Sequence, residues 1–129
     1  MNLFRQIFLD GRTLASDPNP TWLGYSTGSW DSDTLVVETR GFNGQTWLDT
    51  GKGHPASSSL HVIERFQRTS FGNLEMRAII DDPKTYAKPW TTKPLKFRLL
   101  LNTEILEYVC NENEKDLRHF EPAAVVKER

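Results

Sequence analysis

In the stretch LHVIERFQR (60–68), Glu64 falls between Val62 and Phe66 on what strand spacing makes an apolar face. A carboxylate in such company is costly unless something pairs with it. Two uses follow from that position. Glu64 could act as an acid or base, or as the polar anchor of a ligand, inside a cavity. Alternatively an arginine satisfies it, or the opposite face is the buried one. His61 lies on the other face of the same strand, in step with Asp81 of the next. A register setting 61 opposite 81 would bring a histidine to a carboxylate near one end of the sheet, with a surface salt bridge as the ordinary alternative. Glu64, His61 and Asp81 are therefore the residues to which catalysis would be assigned.

Other acidic pairs read as turns. Asp31 and Asp33 in GSWDSDTLVVET (28–39) sit two apart, but a hard cation needs six or more oxygens and no further acids surround them. Asp81-Asp82-Pro83 offers a second pair, able in principle to divide acid and base roles, and equally an Asp-Pro turn. No metal site is expected. Nor is a cofactor: no glycine-rich phosphate loop follows a strand and opens a helix. Four tryptophans are many for 129 residues. Trp22, Trp30, Trp47 and Trp90, with Tyr86 and Tyr108, either line a small-molecule cavity together with Glu64 or fill the core and pin loops.

The elements that would position these residues are strands. Hydrophobic content of 37% and charged content of 26% describe a globular chain long enough for one core. A net charge of −1 lacks the basic excess of a nucleic-acid binder. No apolar run reaches the length of a membrane span. The lone Cys110 excludes an internal disulfide. Period two is clearest in LHVIERFQR and LEMRAIID, which place Leu60, Val62, Glu64 and Phe66 with Leu74, Met76, Ala78 and Ile80 on one face. TWLGYSTGSW and TLVVETR predict a hairpin turning at Asp31-Ser32, with Gly28 opposite Leu35 and Ser26 opposite Val37. PLKFRLLL and EILEYVC predict another, turning at Asn102-Thr103, with Leu99 opposite Leu106, Phe97 opposite Tyr108 and Leu95 opposite Cys110. Residues 41–58 read as a long glycine-rich loop held by Trp47 and Leu48, and 111–129 as a polar tail. Met1 leads almost at once into LFRQIFLDG, itself strand-like, as expected of a shortened start to a longer chain.

The predicted fold is a single all-β domain. Its antiparallel meander, lacking helices to cover the apolar face, closes into a barrel, with a sandwich as second choice. FRQIFLDGR, PNPTWLGYSTGSWDSDTLVVETRGFN, IDDPKTYAKPW and LEYVCNENEKD resemble, over almost the whole chain, a large group of uncharacterised bacterial proteins. The group's signature is close to G-x-W-E-G-D-T-L-V-V-E-T; here Asp31 and Ser32 stand for its Glu-Gly. The group carries no established activity. Its members are often longer at the N-terminus and exported to the periplasm or beyond, and their strand pattern is similar to lipocalin-like (calycin) barrels. The function expected is binding of a small apolar or amphipathic molecule beneath the 41–58 loop. Acid–base catalysis in the same cavity and assembly as a homo-oligomer are the alternatives.

Overall fold

A computed structural model describes residues 4–49 and 51–104. Leu3–Leu101 make one compact unit. A second comprises Met1–Asn2 and Asn102–Arg129, of which residues 102–104 are described. The partner arm of the predicted last hairpin, Tyr108, Cys110 and the polar tail lie outside the described residues.

All regular structure among the described residues is β, with no helix. The strands are β1 (Ile7–Phe8), β2 (Tyr25–Asp31), β3 (Thr34–Arg40), β4 (Trp47–Asp49), β5 (His54–Pro55), β6 (His61–Ser70), β7 (Asn73–Asp81), β8 (Trp90–Thr91) and β9 (Leu95–Arg98). One seven-stranded sheet runs β1-β2-β3-β6-β7-β8, with β9 also on β7; β4 and β5 form a separate small hairpin. The sheet is mixed, because β1 runs parallel to β2 where a pure meander would have it antiparallel. It is open among the described residues: β1 bounds one side, and β8 and β9 share the other.

Pairing follows the two-residue alternation of the sequence. Val62, Glu64 and Phe66 oppose Ile80, Ala78 and Met76 across β6–β7. Thr39, Val37 and Leu35 oppose the same three β6 residues from β3. The β2–β3 hairpin closes one residue later than predicted. Asp31 pairs with Thr34 around Ser32-Asp33, so Gly28 meets Val37 and Ser26 meets Thr39. Ser32 takes the left-handed turn at φ 57°. The partner of each β2 residue thereby moves by two positions, which leaves every side chain on its predicted face. Gly28 itself is a close-approach position. A Cβ there would lie 2.7 Å from Leu9 and 3.2 Å from Ile7, so its absence lets the side chains of Ile7 in β1 and Leu9 just after it seat against the sheet.

β8 and β9 are one strand interrupted. Ile80 pairs with Trp90 and Ile79 with Thr91, whereas Met76 pairs with Leu95, one residue out of step. Pro94 has no N–H to give the ladder, and between the two segments the Thr92 hydroxyl accepts from the Ala78 N–H at 3.0 Å.

The core sits under residues 41–60. Ala56 and Leu60 pack on Ala78 and Ile80, flanked by Phe42, Leu48, Val62, Met76, Tyr86 and Trp90. Far from being an unstructured loop, this segment carries β4 and β5. Leu48 pins it as expected; Trp47 is 57% exposed. Asp82 anchors it from the other side. Fully buried at the end of β7, its carboxylate accepts from the Ser57 N–H at 2.6 Å, the Ser57 hydroxyl and the Thr85 hydroxyl at 2.8 Å. Burial pushes the Asp82 carboxyl up, but the hydrogen bonds from Ser57, Thr85 and the Lys84 N–H outweigh it and hold the group below the usual carboxylate range. Tyr86 adds a second staple, its hydroxyl donating to the Pro55 carbonyl at 2.8 Å.

Asp82→Asn keeps the shape and removes the charged acceptor, so it should cost about 2 kcal/mol in urea unfolding at pH 7. Because the folded Asp82 titrates below its ordinary value, the stability it contributes is present above about pH 4 and fades as pH falls through the folded value. Wild type and variant should therefore converge at acid pH. A gap that stays constant with pH would assign the role to packing instead.

Candidate functional site

The inner face of the sheet is built in rows. Ser26, Thr39, Val62, Ile80 and Trp90 form one, with the Ser26 and Thr39 hydroxyls bonded at 2.8 Å. Residues 41–60 pack against this end of the face. Gly28, Val37, Glu64 and Ala78 form the next. Beyond it, Trp30, Leu35, Phe66, Met76 and Leu95 pair in an unbroken apolar line across β2, β3, β6, β7 and β9. That line is open at both ends, with Trp30 65% exposed and Leu95 49%.

Glu64 lies at the boundary between the packed half and the open half. Its side chain is 10% exposed, and its Oε2 accepts from Arg5 Nη1 at 2.7 Å. Arg5 enters from the segment before β1, 59 residues away in sequence, and remains 32% exposed. Of the two sequence readings of Glu64, the arginine-paired one describes what its carboxylate does here. The pair puts one polar group, solvated on the arginine side, beside an otherwise apolar row.

His61 and Asp81 are register partners, as the conditional reading required. They do not form a histidine–carboxylate pair. His61 Nδ1 lies 3.2 Å from Arg40 Nη2, and Nε2 lies 3.3 Å from Glu38 Oε2. A guanidinium has no lone pair to offer, so Nδ1 accepts and Nε2–H donates to Glu38: both ring nitrogens are occupied. The outcome is the ordinary surface contact, made with Glu38 in place of Asp81. His61, Arg40 and Asp81 line an open cleft of about 540 Å³ that also holds Asp17 and Lys84. Glu64 is on the opposite face of the sheet, so the three catalytic candidates do not converge.

The aromatic residues scatter. Trp22 lies outside the sheet and, like Trp30 and Trp47, is exposed. Tyr86 and Trp90 pack edge to face at 5.8 Å on the core. Trp90 also touches the His54 ring at 5.7 Å. His54 Nδ1 donates to Asp49 Oδ2, and this bond first, then the Lys52 N–H, holds the Asp49 carboxyl below the usual range. Burial raises the Tyr86 hydroxyl, with the charges of Asp82 and Asp49 adding to it. Asp31, the last residue of β2, pairs with Arg65 at 2.7 Å, and Asp33, in the turn, takes hydrogen bonds from Gln67 and Thr34. No cluster of metal-ligating side chains occurs among the described residues.

Sequence reasoning missed Arg5, the Asp49–His54 pair and the anchoring role of Asp82. The spacing of Asp49 and His54 across Gly51 and Gly53 was a visible turn signal. Arg5 had none, since nothing local links position 5 to position 64. No protein-family model matches the chain, and neither the curated proteins nor the solved structures contain a match.

Arg5→Met leaves the Glu64 carboxylate without its donor. It should lower unfolding free energy by about 2 kcal/mol, less than for a fully enclosed pair because Arg5 is partly solvated. The double variant Arg5→Met/Glu64→Met should recover much of the loss. An Arg5→Met protein as stable as wild type would mean that water replaces the arginine.

Proposed function

We propose that the chain binds a small, mainly apolar or amphipathic molecule on the open half of its inner face. The observation carrying this reading is the unbroken row Trp30–Leu35–Phe66–Met76–Leu95, left uncovered at both ends while the neighbouring half of the same face is packed. Apolar surface concentrated on one face favours an apolar occupant, at about 25 cal/mol per Å² removed from water. Arg5 and Glu64, one row away, supply a polar end against which such a molecule can be oriented.

A lipocalin-like closure belongs to the same reading. Meander connectivity through β2, β3, β6 and β7 and a single inward apolar face support it, and it would bring the β1 and β8–β9 edges toward each other around the occupant. The likeness of residues 28–39 to the signature of an uncharacterised, often exported bacterial group supports a role shared with that group.

Titration with N-phenyl-1-naphthylamine, a neutral apolar fluorophore, tests the proposal. Saturable one-to-one binding is expected, weakened about tenfold by Trp30→Ser at an exposed end of the row. Native mass spectrometry of the freshly purified protein should show a retained small molecule. Absence of saturable binding, or binding indifferent to Trp30→Ser, would count against it.

A further inference from the structure

At the far end of β6 and β7 the chain turns through Phe71-Gly72, and Phe71 is 73% exposed. Its position is held. Arg68 Nη2 donates to the Phe71 carbonyl at 2.6 Å, and the guanidinium lies 5.0 Å from the ring centre. The end of β9 is stitched to the same turn, since the Leu99 N–H donates to the Gly72 carbonyl at 2.9 Å. Phe71, Leu74, Phe97 and Leu99 thereby form one apolar ledge around an open cleft of about 420 Å³, with Arg68 and Arg98 in its rim. No carboxylate among the described residues lies within ion-pair distance of either arginine.

We propose that this ledge docks on an anionic bilayer surface. An exposed aromatic tip beside leucines suits the headgroup–acyl boundary, where apolar side chains enter and arginines stay level with the phosphates. The charge pattern selects the occupant. Two cations without a carboxylate partner among the described residues flank an apolar tip, so an anionic surface satisfies both features together. Leu74 and Phe97 continue the inner face one row beyond Met76 and Leu95, whereas Trp30 lies four strands away on β2, so Trp30→Ser distinguishes the ligand proposal from this one.

The test is sedimentation of the full chain with vesicles of phosphatidylcholine alone, or of phosphatidylcholine and phosphatidylglycerol at two to one. Binding is expected to the mixed vesicles only, and should weaken as salt rises. Arg68→Gln/Arg98→Gln should reduce it by about fivefold per arginine. Phe71→Ser, at a position exposed enough to leave folding intact by circular dichroism, should reduce it about tenfold. Trp30→Ser should bind vesicles like wild type. Equal binding to neutral and mixed vesicles, no binding, or indifference to Phe71→Ser would overturn the proposal. A concentration-dependent dimer in analytical ultracentrifugation that Phe71→Ser abolishes would also overturn it, assigning the ledge to a second copy.

Discussion

The ladder between β6 and β7 is the constraint from which the other features descend. With His61 opposite Asp81 and Val62 opposite Ile80, the side chains of 62, 64, 66, 76, 78 and 80 all turn to one face. A slip of β6 by one residue would send Val62 and Phe66 to water and bring Arg65 inward, away from Asp31, its partner on the outer face. Register is thus held by the cost of the alternative. β3 continues the rows on one side, and β8 and β9 on the other, so Glu64 is committed to the inner face whether or not a cation reaches it.

Two long-range polar contacts then divide that face. At one end Asp82 collects Ser57 and Thr85, drawing residues 56–60 down onto Ala78 and Ile80. In the middle row Arg5 meets Glu64 from the opposite terminus of the compact unit. Between them the packed half of the face ends and the open half begins. Each contact joins a short, weakly structured segment to the rigid sheet through a charged group enclosed by protein, where a hydrogen bond to a carboxylate is stronger than at the surface. The asymmetry of the inner face, covered at the Trp90 end and bare at the Trp30 end, follows from where these two contacts fall.

The polar outer face works differently. Asp31 with Arg65 and Glu75 with Arg77 are solvated pairs across or along strands, and His61 bridges Arg40 and Glu38 with its own ring largely covered. The solvated pairs add little stability each, but they keep this face wet. The His61 side chain is 14% exposed, and with both ring nitrogens engaged by Arg40 and Glu38 it faces Asp81 across the ladder without bonding to it.

Strand identity and the inward face were legible in the alternation of LHVIERFQR against LEMRAIID, because side-chain direction in a strand is a local property of the backbone; the pairing of 61 with 81 was open until the turn at Phe71-Gly72 fixed the register. The β2–β3 turn was legible to within one residue, and the error left every side chain on its predicted face. What local pattern could not contain was any contact closed across many residues: Arg5 with Glu64, Ser57 with Asp82, the parallel seat of β1 against Gly28. Nor could it contain the one-residue offset between β8 and β9 at Pro94. Those depend on how far separate segments travel before they meet, which is set by packing in three dimensions. Alternation therefore decided which side of each strand faces the protein interior, and tertiary structure decided which part of that side is covered, because only the assembled sheet brings a distant segment over it.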